Sequence, residues 1–358
     1  MAFGVHDGDI RSGPDRYVNI AGEVRNLDEY LQQYHHPAII TGERSWQAFR
    51  RYADTFEPHY PVFHYDGSAT LRNAHQLAQQ VEGADVVVAI GAGKLSDTVK
   101  NVAALLHCSI VMVPTMAATC AAYSAFSVNY DEEHRYVNAP MHASNSDILI
   151  VDPQLIATSP VEYFIGGIGD TLAKWYESAP IFARCEQLST FDRLAQQAAS
   201  IVRSVIIEES KDAVSSLQTG LINEHVNNVI DAIIGLGGTV GGFGGVRARA
   251  SGAHAMHDAL TLLPESSPVV HGAKVAYGII VQLLVEDKTG EARRLLPFYD
   301  SIGLPHSFAD MGMTPSAEKW RTVAEAAADP SFSFCRAVPN ITPQRILSAM
   351  NQAEYSLS

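Results

Sequence analysis

Residues 86–100 have the sequence VVVAIGAGKLSDTVK, in which an apolar, β-branched run is followed by a glycine turn and the start of a helix. A strand that is apolar at every position is buried on both faces, as in a parallel sheet covered by helices on both sides. The same kind of pattern predicts strands at 37–41, 62–65, 85–90, 109–113 and 148–151. Between them, helices are predicted at 27–34, 45–52, 71–81 and 97–106.

The pattern changes after Pro153, where apolar residues recur at helical spacing with little strand-like alternation. Because 358 residues exceed one ordinary core, we predict two domains. Residues 1–152 are expected to form an α/β domain with a mainly parallel sheet, and residues 153–358 an all-α domain. The glycine-rich run 235–245, GLGGTVGGFGG, lies between helical segments, and we interpret it as a place where backbones pack closely rather than as a linker.

The chain carries 39 Asp and Glu residues against 25 Lys and Arg, a net charge of −14, which argues against nucleic acid and anionic membranes as partners. Its four cysteines form no CxxC pair, as expected of free thiols in a reducing compartment. The N-terminus has no apolar segment of signal-peptide type, and no apolar run approaches the length of a membrane span. We expect a cytoplasmic enzyme that acts on a small molecule, and we also expect a homo-oligomer.

Two segments have the features of a nucleotide site. Gly91 and Gly93 let the backbone approach a phosphate closely, and the helix predicted to start near Ser96 offers free N–H groups, with Lys94 as an added charge. The turn matches neither GxGxxG nor a P-loop, so a strand-to-helix turn without a ligand is the alternative. Residues 113–130, VPTMAATCAAYSAFSVNY, present hydroxyl groups that suit a phosphate or ribose, or else cap local structure.

Asp170, His254 and His271 together supply one carboxylate and two imidazoles, a ligand set that leaves a coordination position open for a catalytic metal. The glycines within 166–169 are expected to let the chain turn sharply and to put Asp170 at a helix start, where a plain N-cap is the alternative. His254 and His257 share a predicted helix, and His271 opens the next one; for each histidine alone, packing is the alternative. A divalent metal acts as a Lewis acid on a C–O bond, so a metal beside a dinucleotide predicts redox chemistry on alcohols and ketones.

The motifs GAGKLSDTVK, VPTMAATCAAYSAFSVNY, GIGDTLAKWYES and AHAMH followed by HGAKVAYG resemble, in order and over most of the chain, those of the iron-containing or glycerol dehydrogenase family. The resemblance implies a dehydroquinate synthase-like architecture, with a dinucleotide-binding α/β domain, a helical domain and a metal in the cleft. It also implies that the metal is held by Asp170, His254 and His271. It implies NAD(P)(H) contacts by Gly93, Lys94, Asp97, Thr115, Ala118, Ser124, Phe126 and Tyr130. Glu43 lies where such enzymes place an acid on the adenosine ribose, which favours NAD over NADP.

Two positions depart from the family pattern. Cys120 stands where glycerol dehydrogenases have an aspartate that faces the substrate hydroxyls, which makes a small polyol a doubtful substrate. Lys174 stands where iron-type alcohol dehydrogenases have a further histidine ligand, so the resemblance implies a three-ligand site with Zn²⁺ rather than Fe²⁺. The pairing of TCAAY with GDTLAKWYE is most similar to the hydroxycarboxylate dehydrogenase A branch, which reduces 2-oxo acids. Lys174 would then neutralise a substrate carboxylate, or else pair with Asp170 at i,i+4.

The leading hypothesis is a metal- and NAD(P)(H)-dependent oxidoreductase of 2-oxo and 2-hydroxy acids, with Cys120, Lys174 and His257 beside the substrate. His257 is expected near the nicotinamide, where it relays protons or merely packs. The same class of enzyme acting on glycerol is the alternative. A dehydroquinate-synthase-like lyase is disfavoured because the metal segment has few of the basic residues that a phosphate requires, and a nucleotide sensor without catalysis is the remaining hypothesis.

Overall fold

The computed structural model describes residues 9–57, 59–133 and 135–357. The strands are β1 (Arg16–Asn19), β2 (Pro37–Thr41), β3 (Val62–His64), β4 (Val86–Gly91), β5 (Ser109–Pro114), β6 (Asn129–Tyr130), β7 (Tyr136–Asn138) and β8 (Ile148–Val151). Six of them form one sheet in the order β1–β8–β5–β4–β2–β3, and every pair of neighbours in that sheet is parallel. The predicted parallel sheet is therefore confirmed.

The sheet is buried on both faces, as its apolar strands require. In β4, Val86, Val88 and Ile90 belong to the core on one face, which also includes Phe49, and Val87 and Ala89 belong to the core on the other. The helices of this part are α1 (Leu27–Leu31), α2 (Glu43–Tyr52), α3 (Leu71–Gln80) and α4 (Gly93–Leu106). The expected start of α4 near Ser96 is wrong, because only the extended residue Ala92 separates β4 from the helix.

From Pro153 onward, the described residues form helices and no strand. These are α5 (Pro153–Ile156), α6 (Val161–Ala183), α7 (Thr190–Gln218), α8 (Glu224–Asp231), a π-helical turn (Ala232–Leu236), α9 (Gly237–Gly244), α10 (Gly252–Leu260), α11 (His271–Val285), α12 (Thr289–Ile302), α13 (Ala317–Ala327), α14 (Phe334–Ala337) and α15 (Pro343–Tyr355). The predicted helical C-terminal region is confirmed, and α6 and α11 pack against each other near its centre.

Glycines of α6, α9 and α11 allow close packing. A Cβ on Gly242 would lie 2.0 Å from the Arg11 carbonyl oxygen, so the glycine-rich run 235–245 is a packed helical segment, as interpreted from the sequence. The turn expected before Asp170 is wrong, because Asp170 lies in the middle of α6. A Cβ on Gly272 would lie only 1.7 Å from the carbonyl oxygen of Gly166, so these glycines let α11 approach α6.

One helical stretch in the described part of the chain, Glu224–Arg247, has the length and apolar composition of a membrane span, with a mean hydropathy of 1.5. This differs from the expectation drawn from the sequence. More than half of its apolar window, 56%, is buried inside the protein, where it packs against other helices. We therefore interpret the stretch as a core helix.

Candidate metal centre and nucleotide turn

The candidate nucleotide turn lies at the carboxyl ends of β4 and β5, which are neighbours in the sheet. Gly91 ends β4 and Gly93 begins α4, while Thr115 follows β5 directly and donates its N–H to the Gly91 carbonyl at 3.1 Å. A Cβ on Gly93 would lie 3.1 Å from the Thr119 hydroxyl, so the turn and the segment after β5 are in contact. Crevices at the carboxyl ends of parallel strands are the usual ligand sites of such sheets.

Lys94 and Tyr130, two of the predicted cofactor contacts, lie together. The Lys94 ammonium is 5.7 Å from the centre of the Tyr130 ring, and burial lowers the pKa of Lys94. Burial likewise lowers the pKa of Lys274, with Lys94 as a second cause, so a cation from α11 faces the same region. The two lysines give an anion a positive environment between the sheet and the helical region.

Lys100, which the sequence analysis did not single out, holds the segment after β5 in place. Its ammonium donates to the carbonyl oxygens of Ala121 at 3.0 Å, Ser124 at 3.3 Å and Phe126, and it pairs with Asp97 at 2.9 Å. The predicted cofactor residue Asp97 is thus engaged with a buried lysine. Ala118, also predicted to contact the cofactor, lies against α6, where a Cβ on Gly167 would be 3.1 Å from its Cα.

Glu43 is exposed at the start of α2, just beyond the carboxyl end of β2. Its carboxylate accepts a hydrogen bond from the Gln47 amide at 2.6 Å. Because β2 pairs with β4, with Thr41 opposite Ile90, Glu43 lies on the same edge of the sheet as the glycine turn.

The structure brings the three predicted metal ligands together from three helices. Asp170 is in α6, His254 in α10, and His271 is the first residue of α11. The Asp170 Oδ1 atom lies 3.2 Å from His254 Nε2 and 3.1 Å from His271 Nε2. One ligand atom from each residue falls within 4.8 Å of the others, so the cluster has the dimensions of a metal site.

The chemistry and spacing of these donors fit a divalent cation. Two donors that are each about 2.0–2.1 Å from a tetrahedral ion are about 3.3 Å apart. The two measured separations from Asp170 Oδ1, 3.1 Å and 3.2 Å, are close to that value. Two imidazoles and one carboxylate form a three-residue set that leaves further coordination positions for a substrate.

Each histidine ligand is oriented by a hydrogen bond on its other ring nitrogen. Glu177 lies 2.7 Å from His254 Nδ1, and His257 Nε2 lies 2.9 Å from His271 Nδ1. His257 in turn has its Nδ1 atom 2.9 Å from the Asp258 carboxylate. With a cation bound, donation by each Nδ1 along this chain would leave both Nε2 lone pairs free for the metal, which is the tautomer that a metal requires.

The charges of the cluster depend on burial and on these partners. Burial opposes ionisation of Asp170, but hydrogen bonds from His254 and His271 outweigh it and hold the pKa of Asp170 well below its usual range. Burial and the neighbouring His271 lower the pKa of His257 to about 3, so this imidazole is neutral. A neutral His257 accepts the proton of His271 Nδ1 and does not compete for the metal.

Lys174 and Cys120, the two departures from the family pattern, are neighbours of the metal cluster. Lys174 is buried one helical turn after Asp170 and on the same face of α6. Burial would lower the pKa of Lys174, but Cys120, Asp170 and Glu177 outweigh it, and its pKa lies above the usual value. Among the described residues, the Lys174 ammonium has no ion pair within 4.0 Å, so the predicted alternative of a direct pair with Asp170 does not form.

Glu177 was not predicted as a functional residue from the sequence. A signal for it exists, because Glu177 follows Asp170 by seven residues and therefore lies two helical turns further along the same face of α6. An acidic residue on the helix face that carries one metal ligand can accept a hydrogen bond from a histidine that serves as a second ligand. The identity of that ligand, His254, depends on the contact between α6 and α10, which the local sequence does not contain.

Comparisons with known proteins identify the family to which the chain belongs. Residues 14–153 match the family model described as iron-containing alcohol dehydrogenase. Hydroxycarboxylate dehydrogenase A of Escherichia coli (strain K12) is 32% identical over 355 residues, with 96% of this chain and 96% of that protein covered. The crystal structure of a probable glycerol dehydrogenase from Sinorhizobium meliloti 1021 has a TM-score of 0.87 at 28% identity, covering 97% of this chain and 98% of that one.

A more distant structure shares the fold. The sulfoacetaldehyde reductase from Bifidobacterium kashiwanohense, solved in complex with NAD⁺, has a TM-score of 0.75 at 15% identity and covers 99% of this chain and 100% of that one. The similarity to hydroxycarboxylate dehydrogenase A extends over nearly the whole of both chains. The chain therefore belongs to the iron-containing alcohol dehydrogenase family and is an oxidoreductase of the glycerol dehydrogenase type.

Proposed function

We propose that this protein is a metal-dependent oxidoreductase that transfers a hydride between NAD(P)(H) and a small 2-oxo or 2-hydroxy acid. The observation that carries the proposal is the buried Lys174 ammonium, one turn from the candidate metal ligand Asp170 and without an ion-pair partner among the described residues. A buried cation beside the reacting centre favours an anionic substrate. The 32% identity to a hydroxycarboxylate dehydrogenase points to the same class.

Asp170, His254 and His271 would hold the divalent cation, with Zn²⁺ favoured over Fe²⁺ because Lys174 replaces a further histidine. When bound, the cation supplies Lewis acidity to the C–O group of the substrate. The protein residues do the positioning: Glu177 and His257 orient the two imidazoles, and Lys174 binds the substrate carboxylate. His257 would act through His271, whose Nδ1 atom lies 2.9 Å from His257 Nε2, and its position near the nicotinamide stays a prediction.

The dinucleotide would bind at the turn between β4 and α4. The N–H groups at the start of α4, with Lys94 and Lys274, suit its pyrophosphate. The exposed Glu43 carboxylate suits a ribose 2′-hydroxyl and repels a 2′-phosphate, which favours NAD over NADP. The NAD⁺ complex of the sulfoacetaldehyde reductase of the same fold supports a dinucleotide in this architecture.

A substrate panel tests the proposal. Metal-reconstituted enzyme would be assayed by nicotinamide absorbance with 2-oxobutanoate and 2-oxoglutarate, and in the oxidative direction with 2-hydroxybutanoate and glycerol, using both cofactors. We expect a higher kcat/KM for the 2-hydroxy acid than for glycerol. Glycerol is the alternative substrate suggested by the glycerol dehydrogenase relatives. A higher kcat/KM for glycerol than for the 2-hydroxy acid would contradict our proposal.

Replacing Lys174 tests whether its positive charge binds the substrate carboxylate. Lys174→Met keeps the length and the apolar stem but removes the charge, so KM should rise for 2-oxo acids and change little for neutral ketones. Lys288→Met removes a partly exposed lysine outside the site and serves as the control. An equal effect of Lys174→Met on acids and ketones would make Lys174 a structural residue.

We further propose that residues 1–152 and 153–358 act as two domains and that the enzyme is a cytoplasmic homo-oligomer. Four free cysteines, of which Cys120 is buried beside the site, suit a reducing compartment. Size-exclusion chromatography with light scattering measures the subunit number, and a monomer would contradict that part of the proposal.

A further inference from the structure

The loop 120–126, which follows β5, carries predicted contacts to both halves of the site. Cys120 is predicted to face the substrate, and Ser124 and Phe126 are predicted to contact the coenzyme. The Cys120 carbonyl accepts the N–H groups of Tyr123 at 3.0 Å and Ser124 at 3.1 Å, so the first half of the loop is a tight turn. What fixes this loop therefore also fixes how the substrate contact and the coenzyme contacts lie relative to one another.

Lys100, in α4, holds the 120–126 loop on the side of the sheet. Its side chain is buried, and its ammonium donates to three carbonyl oxygens of the loop, at Ala121, Ser124 and Phe126. Hydrogen bonds from a charged donor are stronger than neutral ones, and removing a buried donor leaves its acceptors unsatisfied. The helix that carries Lys100 is the one whose N-terminus is proposed to bind the pyrophosphate. Lys100 thus joins the loop to the coenzyme helix.

Tyr123 holds the same loop against the helical region. A Cβ on Gly238, in α9, would lie 2.2 Å from Cδ1 of the Tyr123 ring, and the Thr239 hydroxyl donates to the Tyr123 hydroxyl at 3.0 Å. The start of α9 reaches α6, because a Cβ on Gly237 would lie 3.7 Å from Cγ2 of Thr171, next to the candidate metal ligand of that helix. The loop is therefore attached on one side to the coenzyme helix and on the other to the helices around the metal centre.

We propose that Lys100, together with Tyr123, is a positioning residue for hydride transfer, because the loop they fix sets the distance between the coenzyme and the metal centre. The inference rests on the dehydrogenase class and the nucleotide site of the proposed function, but not on the identity of the substrate. In the reductive direction a hydride leaves the dihydronicotinamide for the carbonyl carbon, and the carbonyl oxygen takes up a proton from solvent. A misplacement of about 1 Å can lower the rate of such a step about 100-fold.

The test measures hydride transfer in the enzyme molecules that have bound coenzyme. Lys100→Met keeps the length of the side chain and removes its donors. Preformed enzyme–NADH complex is mixed with a saturating amount of the best substrate of the panel, and the slower rate with NADH deuterated at C4 identifies the hydride step. The first-order rate constant should fall about 10- to 100-fold, whereas partial misfolding lowers only the amplitude. A smaller amplitude with an unchanged rate constant would overturn the proposal.

Two further variants complete the kinetic test. Tyr123→Phe keeps the ring against α9 but loses the hydroxyl contact, so its rate constant should fall by about 3- to 10-fold, and this variant serves if Lys100→Met does not fold. Arg184→Met is the matched control, because Arg184 is an exposed cation that also donates to two backbone carbonyls, both in α14 and outside the loop. Its rate constant should stay within about 3-fold of the wild type. An equal drop in the control, or wild-type rate constants in both loop variants, would contradict the assignment.

Hydrogen exchange tests the same contacts without turnover, which separates failure of this inference from failure of the proposed function. In the metal-free and coenzyme-free protein, the peptide that covers the 120–126 loop should exchange at least about 10-fold faster in Lys100→Met than in the wild type, and a peptide from α11 should not change. Unchanged exchange of the loop would overturn the positioning role whatever the activity. If the loop responds as expected but the wild type reduces no 2-oxo acid, the proposed function fails while the inference is supported.

Discussion

The Glu177 carboxylate contacts both the backbone N–H and the imidazole ring of His254. One carboxylate oxygen accepts the His254 N–H at 2.9 Å and the Ser251 N–H at 2.7 Å, and the other lies 2.7 Å from His254 Nδ1. Glu177 therefore fixes the first turn of α10 and the ring that this turn carries. A ligand whose ring orientation and tautomer are set in advance loses little freedom when a metal binds.

Replacing Glu177 with glutamine should weaken metal binding. The amide oxygen of Glu177→Gln still accepts the two backbone N–H groups, but its NH₂ group then donates to His254 Nδ1 and moves the ring proton to Nε2, the atom facing Asp170. We expect about 10- to 100-fold weaker Zn²⁺ binding, measured by competition with a chromophoric chelator. Glu208→Gln, on the exposed face of α7, is the control, and unchanged affinity in Glu177→Gln would show that the contact is only structural.

Metal binding should release a proton. Burial opposes a charge on His254, but Glu177 and Asp170 outweigh it and raise the pKa of His254 to about 10 in the metal-free protein. Below that pH the cation must displace the Nε2 proton, so apparent affinity rises with pH until about 10, and about one proton leaves at neutral pH. Calorimetry in buffers with different ionisation enthalpies counts the proton, and a heat independent of buffer would contradict the assignment.

The same shift has a consequence for the stability of the metal-free protein. Because the pKa of His254 is raised in the folded state, its protonation stabilises the fold. This contribution is fully present below the unfolded pKa of about 6.5 and is lost as the pH rises through about 10. The free energy of unfolding of the metal-free protein should therefore fall over that window. Denaturant titrations of the wild type and of His254→Gln, which lacks the titrating group, measure this contribution as the difference between their pH profiles.

His271→Ala should abolish turnover and metal retention with little loss of secondary structure. The His271 side chain lies within hydrogen-bonding distance of Asp170 in α6 and His257 in α10, so we expect the sheet to form without it. Elemental analysis after dialysis measures metal retention, and circular dichroism measures the secondary structure. Full activity in the variant would remove His271 from the set of ligands.

Gly272→Ala should separate α6 from α11. The added methyl group would lie 1.7 Å from the Gly166 carbonyl oxygen, and overpacking of this kind costs about 1–3 kcal/mol or more. His271 is the adjacent residue, so metal affinity should fall together with Tm. Gly290→Ala is the control, because its Cβ meets nothing within 4 Å and alanine favours a helix. A Tm equal to that of the control would contradict the close contact.

Cys120→Asp should move substrate preference from 2-oxo acids toward polyols. The introduced carboxylate would lie near Lys174, which it neutralises, and it would accept hydrogen bonds from substrate hydroxyls. The ratio of kcat/KM for 2-hydroxybutanoate to that for glycerol measures the change. An unaltered ratio would mean that the side chain at position 120 does not face the substrate.

Strands that are buried on both faces were predictable from the sequence because their signal is local. The bounds of β2 and β8 agree with the prediction residue for residue. The edge strand β1 was missed, since RYVN has one buried residue and reads as a loop. The hairpin of β6 and β7 was also missed because its strands are very short and largely polar.

The metal ligands were predictable as residue types, but their surroundings were not. Asp170 was expected at a helix start because glycines before an aspartate are typical of a turn. The role of those glycines depends on α11, which begins about a hundred residues later. Separation in sequence also hides the contacts of Glu177 with His254, which exist only once α6 and α10 pack together.

All three candidate metal donors come from α6, α10 and α11, whereas the glycine turn belongs to the sheet. If the nucleotide proposed for the glycine turn leaves that turn while α6, α10 and α11 keep their packing, all three donors to the cation stay where they are. The ion of the proposed enzyme would then stay bound through many turnovers while the coenzyme exchanges, so titrating the protein once with metal should suffice for sustained activity in metal-free buffer.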